Sequence, residues 1–171
     1  MLHTSDDTEN AGPDAKFGWV ILNVEKAAQT IKQLQSGGSA KLVEFTTNPT
    51  NDSSSEISTN GVAAGSSARA SICWTDDDGA EQVSADGVNP TTSRLVYNFD
   101  ILFRQISPLI NARPFAPLSV SSPNTVAAEA SSWFGNNVDN YKQANISSTT
   151  DNSNLTVYVR KSSASPSMVR N

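Results

Sequence analysis

The sequence predicts a single α+β or mainly α domain, a bundle of about three main helices with a small antiparallel sheet, mobile termini and a long polar loop. Residues 23–38, "NVEKAAQTIKQLQSGG", and 93–107, "SRLVYNFDILFRQIS", carry apolar side chains at helical spacing, and a third helical pattern begins near residue 124. "NLTVYVRK" near the C-terminus alternates as a strand with one wet face does, and so does "AKLVEFTT". At 171 residues the chain suits one ordinary domain able to bury a core without staples.

Taken in order, residues 1–16 are acidic (Asp6, Asp7, Glu9, Asp14) and poor in hydrophobes, so a mobile arm is expected ahead of a domain spanning 17–162. The first helix places Val24, Ala27, Ala28, Ile31 and Leu34 on one stripe, with Asn23 as N-cap and Gly37-Gly38 as the stop. "AKLVEFTT" then reads as a strand, and 47–68 as a flexible loop of turn formers and small residues. "RASICWT" and "AEQVSA" flank "DDDG", which predicts a hairpin.

In the second helical segment Leu95, Phe99, Leu102, Phe103, Ile106 and Ile110 share a face, capped by Thr92 or Ser93 and broken at Pro108, whose ring removes a donor. A strand reading exists there too, because Leu95, Tyr97, Phe99, Ile101 and Phe103 alternate; the helical period covers more residues. "RPFAPLSVSSP" follows as an extended, proline-spaced connection. A third helix is expected through "VAAEASSWFGNNVDNYKQ", weakened by Gly135. The strand around Leu155, Val157 and Val159 precedes a flexible tail, 163–171.

Charged residues make up 17% of the chain and apolar ones 37%, both low, with Ser, Thr and Asn supplying the difference. Uncharged polar surfaces pack against copies of themselves with little like-charge repulsion. The opening "MLHTSDDTEN" has neither the basic start nor the apolar core of a secretory signal, and no window approaches a membrane span. Three N-x-S/T sequons, at Asn51, Asn145 and Asn154, are no more than this composition generates by chance.

The inventory of proton carriers and ligands is short. Cys73 is the only cysteine and His3 the only histidine, the latter in the expected arm, which disfavours a Ser-His-Asp triad, a Cys-His pair or a two-histidine metal centre. No Walker-type loop or G-x-G-x-x-G turn occurs. Asp76, Asp77 and Asp78 read as a solvated turn, since they lack the alternating ligands and distal Glu of an EF-hand. Glu44 and Glu129 lie near apolar residues but read as acids on wet faces. No catalysis, cofactor or metal is therefore expected.

Residues 93–117 hold three arginines and one aspartate in a chain of net charge −5. On the expected helix Arg94 and Arg104 lie within about 80° of each other, and Arg113 follows at its end. Guanidinium forks grip phosphate, and Tyr97 or Phe115 nearby offers a stacking surface to unpaired bases. The ordinary alternative is that these arginines snorkel from a core helix to water or pair with Asp100. Arg160, Lys161 and Arg170 invite the same reading.

These features together predict a structural, self-assembling subunit, most concretely a viral coat protein of the virion, held in the host cytoplasm before assembly. Its partners are copies of itself and single-stranded RNA or DNA gripped through Arg94, Arg104 and Arg113, where weak contacts are multiplied along the strand. The alternative is a secreted or surface recognition module that offers Trp74, Trp133 or Tyr141 to a glycan or protein.

Overall fold

Phe99, Ile101 and Phe103 alternate with Asp100, Leu102 and Arg104 along a β-strand and do not wind round a helix. The computed structural model describes residues 2–7, 12–13, 18–19, 21–44, 55–76, 95–106, 108–116, 128–147, 149 and 153–162. Among these, one α-helix, α1 (Val24–Ser36), accompanies six strands in two antiparallel sheets. The expected α+β or mainly α bundle of three helices is thereby corrected to a mainly β architecture.

The strands are β1 (Ser55–Val62), β2 (Ala68–Cys73), β3 (Phe99–Gln105), β4 (Ile110–Ala112), β5 (Tyr141–Ile146) and β6 (Ser153–Lys161). Four form one sheet in the order β1-β6-β3-β4, and β2 with β5 forms a separate ribbon. β3 is flanked on both sides, with Phe103 opposite Val157 on β6 and Ala112 on β4. A strand buried on both faces reads as a nearly continuous apolar run, and such a run fits a helical period as well as an alternating one. That ambiguity is why the segment reads as a helix in the sequence.

Two further expectations fail for related reasons. Residues 128–140 form no helix: Phe115 and Glu129 make an isolated antiparallel bridge, and Ala130 N donates to Pro114 O at 2.8 Å. There Asn136 bonds the Phe115 carbonyl through Nδ2 and accepts from the backbone of Asp139, the kind of side-chain competition that undoes helices. A side chain at Gly135 would meet Ala130 Cβ at 2.8 Å, so the chain turns closely at that point. The polar stretch expected as a loop holds β1, whose residues pair with β6, Ile57 opposite Val157. Serine and threonine suit a pleated edge once a hydrophobic strand lies beside them.

β2 forms where a strand is expected, but its partner is β5, with Ala70 opposite Ala144; "AEQVSA" lies outside the described residues. Residues 40–44 are not in a strand, and the rest of "AKLVEFTT" lies outside the described residues. β6 forms where the alternation places it. So does α1, with Asn23 Oδ1 accepting from Lys26 N at 2.8 Å and Gly37 closing the helix at φ 69°. From the segment expected as an arm, Leu2–Thr4 make a 3₁₀ turn and Asp6 bridges Ile21.

The core lies between sheet and ribbon. Ile101 and Phe103 of β3, Ala112 of β4, and Leu155 and Val159 of β6 meet Ala70, Ala144 and Ile146 of the ribbon. Burying side chains such as Ile101 and Leu155 contributes roughly 1.5–3 kcal/mol each. The alternation that turns these residues inward turns Arg104, Thr156, Tyr158 and Arg160 to the opposite face of the large sheet. On the ribbon it turns Arg69, Ser71, Tyr141, Gln143 and Asn145 outward. Among the described residues no helix is long and apolar enough to cross a membrane.

Candidate nucleic-acid interface

Arg104 lies opposite Asn111 on β4 and Thr156 on β6, and its Nε donates to Asn111 Oδ1 at 2.9 Å. The same register puts Tyr158 opposite Leu102, diagonal to Arg104, and the guanidinium carbon lies 5.1 Å from the Tyr158 ring centre. Two residues further along β6, on the same face, Arg160 stands 4.8 Å over the Trp133 ring. Arg113, just beyond β4, approaches that ring at 5.6 Å. Three guanidiniums and two rings thus line up as Arg104, Tyr158, Arg160, Trp133 and Arg113.

A guanidinium over a ring retains N–H groups at its rim for phosphate oxygens, and here the rings serve to hold the guanidiniums in place. Arg160 is exposed and Arg104 half-buried. Arg113 Nη1 is buried without a hydrogen-bond partner among the described residues, an unspent donor beside the indole. Near the row, Asp100 is fully buried, and its carboxylate accepts from Ile101 N at 3.0 Å and Phe134 N at 2.6 Å. Burial pushes its pKa up, opposed by Lys142, by these two amides and by Arg113.

Of the residues singled out in the sequence, Arg104 and Arg113 join this row, and Arg94 lies outside the described residues. Arg104 stands on a strand, not on the helix expected to carry it. Phe115 is 8% exposed and packs edge-on against Trp19, so its ring is occupied. Tyr97 has Lys161 over its ring. Tyr158 and Trp133 supply the rings on which the guanidiniums of the row rest. Arg160 was legible only as one of three basic residues near the C-terminus; Tyr158 could have been found from its place on the same face of the alternating strand as Arg160.

Trp74 packs edge-on to Phe99 and donates through Nε1 to Tyr97 O at 3.1 Å. Asp76 ties down the backbone amides of Val96 and Tyr97 at 2.8 and 2.9 Å. Asp77 and Asp78 lie outside the described residues, among which no three metal-ligating side chains cluster. Glu44 and Glu129 are both exposed.

A second polar array crosses the outer face of the ribbon. His3 Nδ1 meets Ser71 Oγ at 2.8 Å, Ser71 Oγ meets the Tyr141 hydroxyl at 3.0 Å, and that hydroxyl donates to Gln143 Oε1 at 2.8 Å. Tyr141 has one proton and gives it to Gln143, so Ser71 donates to Tyr141 and accepts from His3 Nδ1–H. In this arrangement His3 draws no proton from Ser71, unlike the base of a Ser-His pair. Burial, then Arg69 and the terminal amine, lower the pKa of His3.

Compared with protein-family models, curated proteins and solved structures, the chain matches none.

Proposed function

We propose that this chain is a structural subunit that assembles with copies of itself, most concretely a viral coat protein holding single-stranded nucleic acid without sequence preference. The observation that carries this reading is α1. It is a well-capped amphipathic helix with no buried residue, and Val24 and Ile31 are 69% and 56% exposed. Ile21, Leu22, Leu42 and Val43 in the flanking segments are exposed as well. An apolar stripe left uncovered by the described residues of its own chain suits contact with another molecule, and low surface charge suits a copy of the same chain.

The row from Arg104 to Arg113 supports the nucleic-acid half of the reading. Guanidiniums held in a row on rings fit the successive phosphates of a flexible strand, a contact that needs no base-specific hydrogen bond. A few such contacts per subunit suffice when many subunits line one strand, so a chain of net charge −5 can still hold nucleic acid. Such a subunit belongs in the virion and accumulates in host cytoplasm before assembly.

Electron microscopy and gel filtration of the purified protein test the assembly: particles that form and dissociate with salt and concentration are expected, and a monomer under all conditions would refute it. For the nucleic acid, Arg104→Ala with Arg113→Ala is expected to remove co-purifying RNA or DNA while unfolding stays cooperative. Wild-type particles without nucleic-acid absorbance would remove that part of the reading.

A further inference from the structure

A groove of about 430 Å3 lies between α1 and the β2–β5 ribbon, away from the arginine row. Its cationic side chains are Lys26 and Arg69, with His3 beside them, and its amides are Gln29, Gln33 and Asn145. The remaining described lining residues are threonine, serine, alanine and isoleucine, and no carboxylate is among them, although the chain holds 17 acids against 12 bases. Arg69 is exposed, and its Nη1 donates to His3 O at 2.7 Å, which anchors the guanidinium and leaves its other donors for a ligand. Lys26 donates to Asp6, a carboxylate outside the groove lining that also feels the charge of Arg69, and keeps two further N–H groups for a ligand.

The amides define the rest of the ligand. Gln29 Nε2 gives one of its two N–H groups to Glu25 at 3.1 Å, which holds the amide in place with Oε1 as an acceptor and one N–H as a donor. Asn145 Oδ1 is spent on Gln143 Nε2 at 3.3 Å, so Nδ2 remains as a donor. Gln33 Oε1 accepts from Ser39 at 3.2 Å, which leaves its Nε2 as a second donor. A bare inorganic anion uses only donors, whereas a hydroxylated anion uses the acceptor as well. Among the described lining residues the only aromatic ring is the His3 imidazole, whose Nδ1 is held by Ser71, so a nucleobase finds no Phe, Tyr or Trp face to stack on.

We propose that this groove binds an acidic saccharide, its carboxylate or sulfate group on Arg69 and Lys26 and its hydroxyls on Gln29, Gln33 and Asn145. The site is separate from the arginine row, so it stands whether or not nucleic acid binds there.

The test is titration of the full chain, followed by NMR shifts or calorimetry, with 3′-sialyllactose and a heparin disaccharide as acidic probes and lactose and inorganic phosphate as controls. At least one acidic sugar is expected to bind at least about tenfold more tightly than lactose and phosphate. Arg69→Gln and, separately, Lys26→Gln, both at exposed positions, are expected to weaken that binding about tenfold or more, and Arg104→Ala to leave it unchanged. Equal binding of lactose, equal binding of phosphate, no binding of either acidic sugar, or full affinity in folded Arg69→Gln would each overturn the proposal.

Discussion

Lys142 Nζ lies 3.8 Å from Asp100 Oδ1, and both side chains are completely removed from solvent. The ammonium also donates to Asn98 Oδ1 at 2.8 Å and Phe99 O at 2.5 Å, and it faces the Trp74 ring. Lys142 reaches this place from β5, opposite Ile72 in the ribbon. The pair ties ribbon to sheet by polar contacts beside the apolar core.

Removing one member leaves the other buried and uncompensated. Lys142→Met is expected to cost about 3–5 kcal/mol, and Lys142→Met with Asp100→Asn to recover much of that loss. Urea-unfolding midpoints measure both. A single variant as stable as wild type would show that the pair holds nothing together.

The same lysine makes stability depend on pH in a calculable direction. Burial, opposed by Asp100 and Asp139, lowers its pKa from 10.5 to about 8. Between these values the unfolded chain binds more protons than the folded one, so Lys142 favours the folded state increasingly as pH rises. Relative to the double variant, wild type is expected to gain stability from pH 8 to about 9.5. The gain levels off towards 10.5, where the unfolded lysine loses its proton as well, while Tyr141, whose pKa burial raises, is present in both proteins and cancels from the difference. A flat difference would contradict the assignment.

His3 acts at the other end of the scale. Its pKa lies below 6.5, so on acidification the unfolded chain takes up the proton first and stability is lost as pH falls from 6.5 through the folded value. Amide exchange at residues 2–7 is expected to quicken as pH drops below 6.5, beyond the intrinsic pH effect, and His3→Gln to reduce that dependence. Equal pH dependence in the two proteins would count against it.

Ile31 separates folding from assembly. Because it is 56% exposed on α1, Ile31→Glu is expected to change unfolding free energy by no more than about 0.5 kcal/mol while shifting sedimentation towards the monomer. Undiminished assembly would move the contact elsewhere on the surface.

The candidate site was half legible. Arg104 and Arg113 stand out in the sequence as positive charges in an acidic chain, but nothing local says which rings accompany them. Tyr158 reaches Arg104 only because Leu102 pairs with Tyr158 across β3 and β6. Trp133 joins because the segment after the Phe115–Glu129 bridge brings it to Arg160. The groove was hidden for the same reason, since Lys26, Arg69 and Asn145 belong to three elements distant in sequence.

The sequence by itself determined the parts whose signals are local: α1, through the Asn23 cap, the i, i+3, i+4 stripe and the Gly37 stop, and β6, through alternation with one polar face. It left β3 undecided and concealed β5, whose inward side is Lys142, Ala144 and Ile146 and so lacks an apolar pattern. Only the tertiary structure settled these. Burial between two sheets rewards any backbone that pairs both its edges, and the neighbours that make this possible for Phe99–Gln105 lie in β4 and, some fifty residues further along the chain, in β6.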